Sequence, residues 1–360
     1  MKLKMPASVD IIIDSLQANG YEAYAVGGCV RDSILGRDPD DWDITTSATP
    51  WEVKAVFGRT VDTGLQHGTV TVLLGNHAHE VTTYRIDGDY EDGRHPKDVT
   101  FTASLEEDLK RRDFTINAMA YNDKSGLIDL YGGVDDIQRG CIRCVGNAEE
   151  RFGEDALRIL RALRFSAQLG FGIEQDTYDA ICKLAQTLEK ISAERIAAEL
   201  TKLLLSERPE YIQHLYETGI TKVILPEFDP MIETSQNNPH HCYTVGRHTL
   251  ESLKYIPADK VLRFTMLLHD IGKPNCRTTD EDGIDHIKGH AVEGMEMARD
   301  ILRRLKFDND TIYQVTNLIK WHDCRMAPEM KTVRKVLNKI GPDLFEKLLL
   351  IQYADTMAQS

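Results

Sequence analysis

No apolar run in this 360-residue chain is long enough to cross a bilayer. The opening stretch MKLKMPASVD has lysines but no apolar core or cleavage site behind them, so it does not read as a secretory signal. An excess of positive charge is also missing. Lys and Arg number 43 against 57 Asp and Glu, a net −14, which excludes non-specific coating of nucleic acid but leaves room for a local basic groove. The seven cysteines are odd in number and scattered, which argues against a disulfide framework or zinc knuckle. Free thiols in a reducing cytoplasm are the reading that remains. Repeats and low-complexity segments are not visible. The length exceeds what one core holds, so two or three domains are expected.

What is present divides by periodicity. SVDIIIDSLQAN (8 to 19) reads as an amphipathic helix stopping at Gly20. EAYAVGG, DWDITT, GTVTVLL and HEVTTYR read as short strands separated by turn residues. This mixture to about residue 145 predicts an α/β or α+β head. From 148 to 220 the spacing is helical, as in EDALRILRALRFSAQLG. PEFDPMIETSQNNPHH marks a second break, after which the pattern is helical again. The expected domains are 1–145, 146–232 and 233–360.

In VGGCVRD, Gly27 and Gly28 follow a strand and precede a helix opening at Arg31, a place where backbone N–H groups approach phosphate. About ten residues on, DDWDI alternates Asp41 and Asp43, so both carboxylates project from one strand face. Oxygen ligands at that spacing suit Mg²⁺, and bare carboxylates so close would otherwise repel. Asp40 points the other way, as a solvated turn residue. RRDFTINA adds Arg111, Arg112, Asp113 and Asn117, phosphate clamps beside ribose-sensing groups, or else a capped helix start under a basic patch. Glu80 is either a third carboxylate or an edge-strand surface residue.

These stretches, with GLQHGTVTV between them, resemble the bacterial and eukaryotic class of tRNA nucleotidyltransferases: the CCA-adding enzymes with their A-adding and CC-adding relatives, and the sister poly(A) polymerases, within the DNA polymerase beta superfamily. The resemblance covers about residues 20 to 230. It implies an α+β polymerase-beta-like head, a mixed sheet with helices, followed by an all-α neck and an all-α HD domain. It makes Gly27, Gly28, Arg31 and Asp32 the triphosphate-side loop, Asp41 and Asp43 the catalytic Mg²⁺ carboxylates, and Arg111, Arg112, Asp113 and Asn117 the sugar and phosphate contacts. It also likens the polar stretch between Arg85 and Phe101 to the flexible loop needed for terminal A addition, which argues against a CC-only enzyme.

In GEDALRILRALRF, helical spacing puts Asp155 and Arg158 on one face with Arg161 one step further. A carboxylate beside a guanidinium presents the acceptor and donors that pair with a base edge. The resemblance gives these residues the selection of CTP and then ATP. Arg164, also counted among the candidate nucleotide-binding residues, lies about 180° round from Asp155 and should serve another surface.

In the C-terminal third, His248, the doublet His269-Asp270 and Asp355 follow the order H…HD…D and resemble the HD phosphohydrolase superfamily. Imidazole with carboxylate suits Mn²⁺, Ni²⁺ or Co²⁺. His290 and His322 are expected to make the site dinuclear or to position phosphate, and Lys273 to face phosphate. The substrates implied are phosphomonoesters or 2′,3′-cyclic phosphates. The chain stops five residues after Asp355, and relatives with this module carry further helices, so a shortened tail is expected. The sum is a cytoplasmic enzyme extending the 3′ end and acceptor region of tRNA with CTP and ATP, with no membrane partner. The rivals are an A-adding enzyme, a poly(A) polymerase, and an HD phosphohydrolase with a nucleotide-binding head.

Overall fold

The computed structural model describes residues 2–88, 99–235, 243–281, 284–324 and 330–359. The chain divides into two compact units. The first comprises residues 1–158 and 171–184; the second comprises 159–170 and 185–360.

The first unit is built on a seven-stranded mixed sheet. Its strands in chain order are β1 (Ala23–Val26), β2 (Ile44–Thr46), β3 (Thr60–Gly64), β4 (Thr69–Leu74) and β5 (His77–Thr83). After a two-stranded ribbon of β6 (Arg85–Asp87) and β7 (Val99–Phe101), β8 (Met119–Asn122) and β9 (Gly126–Asp129) complete it. The spatial order is β3-β4-β5-β2-β1-β8-β9. Only β2 and β5 run parallel; the other neighbours are antiparallel. All four residues of β1 and of β8 are buried, as central strands covered on both sides must be. Tyr24, Val26, Tyr84, Leu109 and Ala120 make one core cluster under this sheet. The expected N-terminal helix is Ala7–Ala18, burying Val9, Ile12, Ile13 and Leu16 at helical spacing.

Two expectations change here. The strand read from DWDITT begins only at Ile44, because the pairing of Ile44 to Thr46 with β1 and β5 starts there. Asp41 to Asp43 still alternates like a strand, with Trp42 buried and both aspartates exposed. Glu80 is not on an edge, since β5 lies between β4 and β2. The loop assigned to terminal A addition lies mostly outside the described residues; its flanks are the paired β6 and β7.

The second unit is helical. Arg164 is buried in it, its Nε donating to Glu199 Oε2 at 2.5 Å and its guanidinium stacked 3.8 Å over the Phe165 ring. Breaking one side of such a buried pair costs about 3–5 kcal/mol. The structure thus gives Arg164 a packing partner within the second unit. The α+β head followed by helical segments is the architecture expected, but the second unit is not all-α, since Arg277–Thr279 and Asp285–Ile287 pair there as a two-stranded antiparallel ribbon.

Cys141 and Cys144 stand in C-x-x-C spacing, which corrects their reading as merely scattered. The described cysteines are nevertheless all free, and burial pushes the Cys144 thiol up to about 12, so it is no reactive thiolate.

Candidate active site and metal centre

At the head site, the Val26 N–H donates to Asp43 O at 3.0 Å, tying the aspartate stretch to the end of β1. The next residue, Gly27, turns the chain at φ +81°, and a Cβ there would stand 3.2 Å from Arg112 Nη1. Its amide donates to Met119 O, so that N–H is already engaged. The parallel register pairs Ile44 with Val81, which sets Glu80 beside Asp43. Loss of solvent around Asp43 raises its carboxyl above the usual range; Arg112 opposes this and Asp41 adds to it. Glu80 is raised as well, by burial and then by Asp43 and Asp41. Three carboxylates therefore repel one another at one mouth, the electrostatics that a divalent cation relieves.

Behind them lies a network that the sequence shows only in part. Arg31 is buried, its Nε and Nη2 each donating to Asp32 at 2.9 Å and its Nη1 to Asn117 Oδ1 at 2.7 Å. Asn117 in turn donates to Asp113 Oδ1 at 3.1 Å, which also accepts from Phe114 N. So Arg31, Asp32, Asp113 and Asn117, far apart in sequence, form one connected unit. Arg111 and Arg112 are held by a residue that the sequence reading passed over. Fully buried Asp108 accepts from Arg111 at 2.7 and 3.0 Å, from Arg112 at 3.2 Å and from Thr45 Oγ1 at 3.1 Å. Burial alone would raise its carboxyl, but Arg112 and Arg111 outweigh that and hold it below the usual range.

The two residues expected to read the base are arranged differently from the helical expectation. Asp155 lies outside any helix, at φ −139°, between the helices Ala148–Glu154 and Leu157–Leu169. Its Oδ1 accepts from Leu157 N at 3.0 Å, the N-capping use of aspartate that starts the second helix. Arg158 bonds instead to Glu154 Oε2 at 2.7 Å and to the Arg111 carbonyl at 3.0 Å. Glu154 was the missed partner, legible as an i,i+4 pair. Within the same unit a pocket of about 150 Å³ is lined by Ile86, Glu107, Lys110, Arg111, Arg151 and Glu154. Arg161, in the second unit, lies 5.4 Å from the Phe165 ring centroid.

The C-terminal histidines converge within the helical unit. His248 sits inside the helix Val245–Ser252 and His269 caps the end of Lys260–Leu268. His290 opens the helix His290–Arg304, His322 caps Asn309–Trp321, and Asp355 lies near the end of Pro342–Met357. Four of these five residues are buried, and so is Asp270. His269 Nδ1 pairs with Met266 O at 2.8 Å and His322 Nδ1 with Ile319 O at 2.6 Å, each a carbonyl in the last turn of its helix. Such bonds place the proton on Nδ1 and turn Nε2 inward as a ligand. His248 Nε2 is 2.7 Å from Asp355 Oδ1 and 3.4 Å from His269 Nε2. Burial alone would lower the His269 imidazole, but Asp270 and Asp355 raise it to about 10. Protons take up charge here that a metal would displace on binding. Asp270 Oδ2 is buried without an aligned hydrogen bond, although Lys273 Nζ forms an ion pair with it at 2.7 Å. Inward imidazoles around a buried carboxylate fit a divalent metal. Among the described residues, the groups whose ligand atoms lie within 4.8 Å of one another are His248–His269–Asp270 and Asp270–His290–His322.

Comparison with known proteins agrees with this geometry. Residues 23–143 match the poly A polymerase head domain, 170–232 a probable RNA and SrmB-binding site of polymerase A, and 240–356 the HD domain. The CCA-adding enzyme of Lactiplantibacillus plantarum is 55% identical over 198 residues, which are 55% of this chain and 49% of that protein. The chain thus aligns over about half the length of the curated relatives it matches. The crystal structure of the Bacillus stearothermophilus CCA-adding enzyme in complex with CTP is 34% identical with a TM-score of 0.76, covering 98% of this chain and 79% of that one. The Thermotoga maritima CCA-adding enzyme complexed with tRNA shares the fold at 19% identity and a TM-score of 0.63, over 99% and 85% of the two chains. Sheet order, clustered carboxylates and matched domains lead to one conclusion: this chain belongs to the CCA-adding enzyme family.

Proposed function

We propose that this protein is a template-independent nucleotidyltransferase that adds C, C and A to tRNA 3′ ends from CTP and ATP, releasing pyrophosphate. The observation that carries this reading is the mutual repulsion of Asp41, Asp43 and Glu80 at one mouth beside the Gly27 turn and Arg112. These carboxylates would hold Mg²⁺, which would activate the attacking 3′-hydroxyl and neutralise the leaving pyrophosphate. Arg111 and Arg112, aimed by Asp108, clamp phosphate oxygens. The connected side chains of Arg31, Asp32, Asp113 and Asn117 hold the ribose and the triphosphate-side turn rigid. Base selection falls to Asp155 and Arg158, with Glu154 fixing the guanidinium plane and Arg161 assisting. The pocket beside them is smaller than the roughly 300 Å³ of whole-ligand sites, which suits one ring rather than a whole nucleotide.

The HD residues His248, His269, Asp270 and Asp355 would hold a divalent transition metal such as Mn²⁺, Ni²⁺ or Co²⁺. That ion supplies Lewis acidity for hydrolysis of a phosphomonoester or 2′,3′-cyclic phosphate. Lys273, ion-paired with Asp270, would receive the phosphate charge. Free cysteines fit a cytoplasmic enzyme, and among the described residues no helix is long and apolar enough to cross a membrane.

Tail length separates this reading from that of a poly(A) polymerase. Given ATP and CTP with tRNA lacking its 3′ end, the enzyme should stop after completing CCA, and an unstructured RNA primer should stay nearly unextended. Long adenylate tails on both substrates would overturn the proposal.

A further inference from the structure

We propose that His79 is a positioning residue for nucleotide transfer, fixing the backbone between Asp41 and Asp43 so that their carboxylates stand beside Glu80. The inference rests on the reading of these three carboxylates as the Mg²⁺ site and names the side chain that holds them in register. The parallel pairing of β2 with β5 sets Ile44 against Val81. Carried back along both chains, the same register sets Asp43 against Glu80 and Trp42 against His79. Yet the ladder begins only at Ile44, and among the described residues neither Asp41 nor Trp42 makes a backbone–backbone hydrogen bond. Their segment is tied to β1 at its far end, where Val26 N–H donates to Asp43 O at 3.0 Å. The metal-facing stretch therefore needs a further anchor to hold its shape.

Alternation sorts these residues onto two faces. Asp41, Asp43 and Glu80 are exposed, whereas Trp42 and His79 are buried, at 7% and 8%. His79 Nε2 lies 2.8 Å from Ser8 Oγ, in the first turn of the helix Ala7–Ala18. Burial lowers the imidazole, and hydrogen bonding to the Trp42 backbone is what opposes that lowering. A bond that raises an imidazole is one in which the ring donates, so the partner is the Trp42 carbonyl. Neutral imidazole has one donor and one acceptor nitrogen, which serves a carbonyl and a hydroxyl together. His79 thus supplies from a side chain the link that the ladder leaves out, and Ser8 fixes the ring. Without that link the outward carboxylates are free to spread under their mutual repulsion, and the ion loses its preformed grip.

The test compares His79→Leu, His79→Gln and Ser8→Ala in the full chain, at a temperature where circular dichroism shows each folded. His79→Leu should lower kcat about tenfold and raise the Mg²⁺ concentration for half-maximal transfer about tenfold. The KM for CTP should stay within about twofold, since the nucleotide contacts are untouched. His79→Gln, whose amide both donates and accepts, should recover most of the loss, and Ser8→Ala should shift both quantities less in the same direction. Backbone hydrogen exchange, read without metal or nucleotide, should quicken in His79→Leu over Asp41 to Asp43 and stay unchanged in β1. A folded His79→Leu chain with the wild-type Mg²⁺ requirement overturns the proposal, whatever its exchange, and reduces His79 to packing. Should that variant not fold, Ser8→Ala decides in the same way. A wild-type chain that transfers no nucleotide to tRNA would instead overturn the reaction on which the proposal rests.

Discussion

Alanine at Asp41 or at Asp43 should lower nucleotide transfer by roughly a thousandfold or more, while leaving any hydrolysis by the HD region intact. The size follows from the role proposed for the carboxylates. Holding the ion that stabilises attacking and leaving oxygens contributes several kcal/mol to the transition state, and about 4 kcal/mol is about a thousandfold in rate. Stability should move the other way or not at all. Both residues are exposed overall, yet partial loss of solvent around the Asp43 carboxyl raises it, with Arg112 opposing and Asp41 adding, so its removal should not destabilise the metal-free protein. A single alanine variant that melts no lower than wild type yet transfers no nucleotide separates this role from a structural one. The reciprocal variant, His269→Ala, should lose HD hydrolysis and keep transfer. Transfer surviving the loss of both head aspartates would sink the assignment.

Asp108→Asn should be the most destabilising single change in the head. Asp108 is fully buried, satisfies two guanidinium groups and accepts from Thr45. Removing one side of such a cluster leaves buried cationic groups uncompensated, which costs about 3 kcal/mol here, at the low end because both arginines keep some contact with solvent. A drop in melting temperature on the order of 10 °C is the expected readout. The pH dependence has a definite sign. The folded-state carboxyl lies below its ordinary value of 3.8, so its stabilisation is complete above that pH and is lost as pH falls through the depressed folded value. The stability gap between wild type and Asp108→Asn should therefore be constant near neutrality and close in acid. Since Arg111 and Arg112 lose their orientation, transfer should fall by about a hundredfold even at temperatures where the variant is folded. A gap that widened in acid would show that Asp108 is not the anion of this cluster.

Much of the head was legible because its cues are local. Alternation around Trp42 announced the outward pair Asp41 and Asp43; β1 and β4 lie within the stretches that named them, and β5 begins two residues before HEVTTYR. Strand β3, by contrast, is TVDTG, polar and mostly exposed at a sheet edge, so neither burial nor alternation reveals it. Asp155 misled for a physical reason. The helical spacing continues through it, but Gly153 weakens the helix just before it, and Asp155 caps the following helix better than it continues the first. Asp108 hid in the run LEEDLK, which reads as a solvated acidic helix start. Only the tertiary fold brings Thr45 against it. In the C-terminal unit the residue types and their order were in the sequence. That one carboxylate faces two imidazole pairs is a property of where these helices meet.

CCA addition is tested most directly by incorporation of labelled CTP and ATP into three forms of one tRNA, ending at the discriminator base, at C, and at CC. All three should be extended to the same CCA terminus, with CTP required for the first two and ATP alone sufficient for the last. Extension of the CC-ending tRNA only would contradict it, and would make this chain an A-adding enzyme.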